Sequence, residues 1–140
     1  MKNQKKKRAL SKPKLKTIKN KLWKLCAQLT RLKYGNECYA CGRKNLSNKN
    51  WHTAHLIPRS TCGAYLKYDL RNLRPCCYNC NINLGGNGAE FMRKMIIREG
   101  QEYVDQIFRE QKLETKEKDL YPMLLEKYKL ILEETNTLAK

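Results

Sequence analysis

The sequence predicts a small α+β domain in which a short core of strands, closed by paired cysteines, is flanked by helices on both sides. Three observations predict this class. Apolar residues recur at helical spacing before Glu37 and again from Phe91 onward. Between these regions helical spacing disappears and Cys, His, Asn and Gly crowd together, and two Cys-x-x-Cys pairs bracket the crowded segment. A chain of 140 residues has room for about one such domain.

The N-terminal part of the chain carries most of the positive charge. The formal net charge is +17, which favours an anionic polymer as partner, with nucleic acid as the first candidate. Of the 30 Lys and Arg residues, 13 precede Glu37, the first carboxylate. Residues 1–14 are predicted to be a flexible basic arm. Residues 15–36 are predicted to be a basic amphipathic helix ending at Tyr34-Gly35, with an apolar stripe formed by Ile18, Leu22, Leu25, Leu29 and Leu32.

The composition argues against secretion and against a membrane protein. Lysines interrupt every apolar stretch near the N-terminus, so no secretory signal is predicted. No segment approaches the roughly 20 apolar residues that span a bilayer. We therefore expect a cytoplasmic protein, in the host cell if the gene belongs to a phage. Seven cysteines, an odd number, then favour metal ligation over disulfides.

The cysteine spacing predicts a structural zinc site. Two pairs, Cys38 with Cys41 and Cys77 with Cys80, can supply four thiolates to a closed tetrahedral site. Cys76 is adjacent to Cys77 and remains an alternative ligand, although the spacing from Cys77 to Cys80 matches the first pair. A single Cys-x-x-Cys pair could instead be a redox site, but the presence of two pairs favours zinc binding. The 35 residues between Cys41 and Cys77 exceed the ~15–20 of an ordinary zinc ribbon, so the insert must contain folded structure.

The insert is predicted to contain two strands, and a helix is predicted to begin at its end. Residues 51–57 (WHTAHLI) are strand-like, residues 66–75 (LKYDLRNLRP) form a second extended segment, and a helix starts with residues 77–84 (CYNCNINL). This order would bring His55 close to Asn81. Residues 37–99 form the predicted core. Residues 100–140 form C-terminal helices for packing or dimerisation, one of them starting near Pro122.

These motifs together resemble a known family. The order Cys-x-x-Cys, AHLIP, DLRNL and CYNCN is similar to the HNH, or His-Me finger, endonucleases, whose core is a zinc-stapled ββα-metal fold. The most similar subgroup is the phage recombination nucleases of the NinG or Rap type, which also resemble this chain in the trailing segment REGQEYVDQI at residues 98–107. The second cysteine pair is similar to that of the endonuclease VII type of junction resolvase.

The resemblance implies a set of catalytic roles. It makes His55 the general base, since an imidazole accepts a proton near neutrality. It makes Asn72 the residue that holds the loop and orients the base, and Asn81 a ligand of a catalytic Mg²⁺ or Mn²⁺ ion. Many HNH enzymes have a metal-binding residue immediately before the base, where this chain has Ala54. His52 is the first candidate to complete the metal site, and Asp69 the second.

The resemblance and the charge together predict DNA as the substrate. The resemblance implies a branched form, such as a Holliday junction or a D-loop, and two active sites in a homodimer. Two alternatives remain open: an HNH endonuclease of nicking, restriction or packaging, and a zinc-stapled DNA-binding module without catalysis. Basic side chains near the predicted site and in the arm would contact the DNA backbone. They are Arg59, Lys67, Arg71 and Arg74, together with Lys5, Lys6, Lys7 and Arg8.

Overall fold

A computed structural model describes residues 14–138 of the chain and contains five α-helices and two β-strands in that range. They are α1 (Leu15–Tyr34), β1 (His52–His55), α2 (Gly63–Lys67), β2 (Leu73–Cys76), α3 (Gly88–Glu99), α4 (Gln101–Glu110) and α5 (Glu117–Leu138). The α+β class is confirmed. The proposed DNA contacts of the basic arm, Lys5, Lys6, Lys7 and Arg8, lie outside the described residues.

The sheet consists of β1 and β2, which pair antiparallel. His55 lies opposite Leu73 and Thr53 lies opposite Pro75. Pro75 has no N–H to donate, which a strand with a free edge tolerates. Its carbonyl oxygen accepts a hydrogen bond of 2.8 Å from the N–H of Tyr39. The first cysteine pair is thereby attached to the edge of β2.

The predicted second extended segment is mostly not extended. Residues 63–67 form α2, and Leu70–Asn72 form a 3₁₀ turn, so only Leu73 onward is strand. The carboxylate of Asp69 caps this turn by accepting a hydrogen bond of 2.9 Å from the N–H of Arg71. Such local side-chain bonds favour a turn over a strand, which explains the error.

The α-helix predicted to start at Cys77 is replaced by a short π-helical turn. Asn79–Asn83 form a single π turn. A glycine-containing loop follows, in which Gly85 and Gly86 have positive φ angles, and α3 begins only at Gly88. Helix α3 ends before Gly100, as the sequence predicts, where a φ of 98° suits glycine.

Helices α1 and α5 pack together over one of two hydrophobic clusters. Helix α1 begins at Leu15 as predicted and ends at Tyr34, two residues before the end of the predicted range. Leu32 is 53% exposed and does not belong to the buried stripe. Helix α5 starts five residues before Pro122, not at it. Tyr121 holds this first part of α5 in place, because it is fully buried and donates a hydrogen bond of 3.0 Å to the carbonyl of Ala64.

The second cluster joins the cysteines to β1, α3 and α4, with Phe91, Met95, Val104 and Ile107 as its largest buried contributions from the helices. The C-terminal helices therefore divide, α4 packing on the cysteine-rich core and α5 on α1. This packing within one chain accounts for their buried faces. None of the helices in residues 14–138 is both long and apolar enough to cross a membrane.

Candidate functional site

The four predicted cysteines meet at one point beside the sheet. The sulfur atoms of Cys38, Cys41, Cys77 and Cys80 all lie within 4.8 Å of one another. The backbone N–H of Cys41 points to the Cys38 Sγ at 3.5 Å, and that of Cys80 to the Cys77 Sγ at 3.4 Å. These amides would stabilise thiolate charge, and four sulfurs so placed fit a closed tetrahedral zinc site. The cluster can therefore hold a metal ion such as zinc, and Cys76 is not among the four.

The cysteine cluster also fixes the position of Asn81. Asn81 directly follows Cys80 in the π turn, and its backbone N–H donates to the carbonyl of Cys77 at 3.0 Å. Since Cys77 follows the end of β2, the side chain of Asn81 is tied to the sheet that carries His55. This is the juxtaposition that the sequence predicts.

His55 is half-buried at the end of β1, in one defined orientation. Its Nε2 lies 2.8 Å from the carbonyl oxygen of Lys67. A carbonyl only accepts, so Nε2 carries the proton and Nδ1 of the neutral ring has a free lone pair. The ring stacks on Trp23 with centroids 5.4 Å apart and planes 4° from parallel. Two elements distant in sequence thus hold the imidazole.

The surroundings of His55 favour its neutral form. Burial lowers the pKa of His55 below its usual value of 6.5, and the positive charges of Arg59 and Lys67 lower it further. The hydrogen bond to the Lys67 carbonyl opposes these effects but is smaller than the effect of burial. The ring is therefore a neutral base at physiological pH.

His52 and Asn81 are hydrogen-bonded to each other. The His52 Nε2 lies 2.8 Å from the Lys49 carbonyl oxygen and must donate to it, so Nδ1 accepts from the Asn81 Nδ2 at 3.0 Å. This bond uses the amide nitrogen of Asn81 and leaves its Oδ1 as the available atom. His52 has both ring nitrogens engaged, so it orients Asn81 and has no free nitrogen for a metal in this arrangement.

Asn72 is fully buried and ties together the segments around His55. Its Oδ1 accepts from the Ile57 N–H at 2.8 Å, and its Nδ2 donates to the carbonyls of Ile57 and Leu66 at 3.2 and 3.3 Å. It makes no hydrogen bond to His55 itself. Leu66 precedes Lys67, whose carbonyl holds the imidazole, so Asn72 positions His55 through the backbone.

A cleft of about 370 Å³ lies in front of these residues. No carboxylate is among the residues that line it, which leaves oxygen ligands for a cation only from neutral groups. Trp23 and Thr53 were not predicted as site residues. Strand alternation from His55 identifies Thr53, but nothing local identifies Trp23. The lining comprises Trp23, Thr53, His55, Leu56, Pro58, Arg59, Asn81, Gly85, Gly86 and Gly88.

Three residues predicted for the site belong elsewhere. Asp69 does not line the cleft, because its carboxylate binds Arg71 at 2.7 Å, and Arg71 also binds Glu110 at 2.6 Å. Arg71 is therefore not a free DNA contact. Arg74 is fully buried, so the prediction that it contacts DNA is wrong.

Arg74 has a structural role between the sheet and three helices. Its guanidinium donates to the Leu73 carbonyl at 2.7 Å and to the Tyr103 hydroxyl at 3.0 Å. It lies 4.2 Å from the ring centre of Tyr34 and 3.5 Å from a carboxylate oxygen of Glu99. Of the basic residues predicted near the site, only Arg59 and Lys67 lie beside His55.

Comparison with known proteins gives a match over nearly the whole chain. The family model described as bacteriophage lambda NinG protein matches residues 1–137. Protein ninG of Escherichia phage 933W is 37% identical over 71 residues, and Protein ninG of Escherichia phage lambda is 35% identical over 71 residues. Each match covers 50% of this chain and 33% of the relative, so the chain spans about a third of the length of these curated relatives. No solved structure matches significantly.

Proposed function

This chain belongs to the family of the bacteriophage lambda NinG protein, and we propose that it is a metal-dependent DNA endonuclease of the HNH type. One observation carries the proposal. The neutral His55 is held through Nε2 by the Lys67 carbonyl, with Nδ1 free, beside a cleft that contains Asn81 and Arg59 but no carboxylate. A neutral base, His55, and a positively charged side chain, Arg59, in a cleft without carboxylates suit the attack of water on a phosphodiester.

The proposed reaction begins with deprotonation of water. His55 accepts the proton on Nδ1 as the water oxygen attacks phosphorus, and its Nε2–H bond to Lys67 stabilises the resulting imidazolium. Arg59, exposed at the edge of the cleft, attracts the phosphate. Asn72 acts at a distance, by keeping Leu66 and Ile57 in place.

The donor set in the cleft fits a hard cation that binds together with the DNA. Asn81 has a free Oδ1, because its amide nitrogen binds His52, and Thr53 adds a hydroxyl. Hard cations prefer oxygen ligands, and Mg²⁺ commonly uses substrate phosphates for the rest. A Mg²⁺ or Mn²⁺ ion held by Asn81 would stabilise the charge that develops on the phosphate and the leaving oxygen. Zinc, in the four-cysteine cluster, has a structural role in this proposal.

The proposed substrate is a branched recombination intermediate such as a Holliday junction or a D-loop. The net charge of +17 supports DNA binding, and the preference for branches rests on the resemblance of the trailing segment to the NinG or Rap type. Symmetric resolution of a four-way junction requires two active sites, which supports a homodimer as the working form.

Cleavage of a labelled four-way junction, compared with a linear duplex of matched sequence, tests this proposal. We expect the junction to be cut preferentially with Mg²⁺ and neither substrate to be cut with EDTA. Equal cleavage of both substrates would refute the preference for branched DNA but would still support the endonuclease activity. Binding of both without cleavage would identify a DNA-binding module, the alternative that Ala54 leaves open at the position before the base.

The pH dependence of cleavage should report on His55. Because the pKa of His55 is lowered, kcat/KM should rise with pH, reach half its maximum below pH 6.5 and stay constant through neutrality. Replacing Arg59 with Gln removes a positive charge that lowers this pKa, so the midpoint should move to higher pH. A pH profile over 4.5–8.5 with both proteins checks the expectation. A midpoint that lies above pH 6.5 and is the same in the native protein and in Arg59→Gln would contradict it.

A further inference from the structure

A groove runs from the catalytic cleft along helix α1. Trp23, Thr53 and Asn81 line the cleft and also a second depression of about 310 Å³. Arg31 and Trp51 line this second depression and a third of about 420 Å³. Because neighbouring depressions share lining residues, the three lie side by side along α1, and we name them together the α1 groove.

The α1 groove is positively charged. Beyond the cleft its cations are Lys24, Arg31 and Lys49, and no acidic residue lines any of the three depressions. Lys24 and Lys49 are exposed and have no salt bridge within the described part of the chain. In contrast, Lys19 on another face of α1 binds Glu117 at 2.7 Å. The lysines of the groove are therefore available to an anionic ligand.

The far end of the groove contains an aromatic side chain in a fixed position. The Trp51 Nε1 donates to the Gly35 carbonyl at 3.2 Å. The Arg31 guanidinium lies 4.4 Å from the centre of the indole and donates to the Trp51 carbonyl at 2.7 Å. Trp51 is only half-buried despite these contacts. Arg31 covers one face of the indole, and the remaining exposed surface of Trp51 beside the lysines offers the combination that binds unpaired bases and their phosphates.

We propose that the α1 groove binds a single-stranded DNA segment continuous with the strand that is cut. Lys24 and Lys49 contact its phosphates, and Trp51 contacts its bases. Trp23 and Arg31 are eight residues apart on α1, about 12 Å at a rise of 1.5 Å per residue. A single-stranded segment of a few nucleotides spans this length. The inference rests on the proposed nuclease function, and it assigns the groove to the unpaired part of a branched substrate.

A single strand fits the groove better than a duplex does. Depressions of about 310 and 420 Å³ between α1 and the residues around β1 have room for nucleotides of one strand. The bases of a duplex face each other and could not reach Trp51. The backbone charge of a duplex could still contact Lys24 and Lys49, so the indole, not the lysines, distinguishes the two ligands.

Tryptophan fluorescence tests the proposal directly, because Trp23 and Trp51 are the two tryptophans of the chain and both line the groove. In the Trp23→Phe variant Trp51 is the single reporter. Titration of this variant in EDTA with a thymidine oligonucleotide should quench its fluorescence. A duplex of equal length should quench it several-fold less at equal occupancy, measured in parallel by anisotropy of labelled DNA.

The contribution of the lysines is tested with a matched pair of double variants. K24Q/K49Q should weaken binding of the oligonucleotide about tenfold at 0.1 M salt and reduce the slope of log K against log salt by about 1.4, at ~0.7 per phosphate contact. K112Q/K118Q removes the same charge from exposed residues outside the groove and should leave the slope unchanged. Circular dichroism of each variant verifies the fold.

The outcomes separate this inference from the proposed function. Equal quenching by single strand and duplex, or equal effects of the two double variants, would overturn the single-strand groove even if junctions are cut. If quenching depends on Lys24 and Lys49 but the protein cuts no DNA, the single-strand groove would be supported and the proposed nuclease function would be refuted.

Discussion

Replacing His55 with Ala is expected to lower the rate of Mg²⁺-dependent DNA cleavage about 10²- to 10⁴-fold, the usual contribution of a general base. The physical reason is that no other group in the cleft is a neutral base. Asn81, Thr53 and Trp23 cannot accept a proton near pH 7, and Arg59 is always charged. DNA binding in EDTA should change little, because the phosphate contacts come from other residues.

The measurement is single-turnover cleavage of the labelled junction at saturating protein and Mg²⁺. His52→Ala is the matched control, since it removes the other histidine of the chain. It frees the Asn81 amide, so it should raise the Mg²⁺ concentration needed for half-maximal cleavage more than it lowers the rate at saturation. If His55→Ala cuts at the native rate while His52→Ala is inactive, the assignment of the base is wrong.

Replacing Cys77 with Ala is expected to remove bound zinc and cooperative folding of the core. Structural zinc sites contribute about 10–16 kcal/mol of apparent binding free energy, which matches or exceeds the ~5–15 kcal/mol that stabilises a typical domain. The cluster joins the segment before β1 to the end of β2, and Phe91 and Met95 of α3 pack in the same core. Loss of the metal should therefore disorder the cleft as well.

Two other cysteines provide the controls for this experiment. Cys62 is buried but outside the cluster, and its Sγ contacts the Arg59 carbonyl at 3.7 Å, so Cys62→Ala should keep one zinc per chain. Cys76→Ala should keep it too, which decides between Cys76 and Cys77 as the ligand. Zinc is measured by atomic emission and folding by thermal melting with circular dichroism. A Cys77→Ala protein with one zinc and an unchanged Tm would refute the proposed ligand set.

Sequence alone located the parts of the site that depend on local spacing. The two Cys-x-x-Cys pairs predict a four-cysteine cluster because each pair places two sulfurs on one turn, and the structure brings all four together. The limits of α1 and the end of α3 at Gly100 follow from local apolar spacing and from glycine at a positive φ. The proximity of His55 and Asn81 follows from the order of the two strands and the turn after them, and both residues line the cleft.

Tertiary structure alone decided which charged and polar groups face the cleft. Arg74 looked like a DNA contact, yet it is buried among Tyr34, Glu99 and Tyr103, which come from three different helices. The tautomer of His55 depends on the Lys67 carbonyl and its orientation on Trp23, 32 residues away in sequence. A charge or an imidazole takes its role from the partners that folding brings to it. Residue type and spacing specify a candidate, and long-range packing determines whether it binds DNA, orients a neighbour or supports the core.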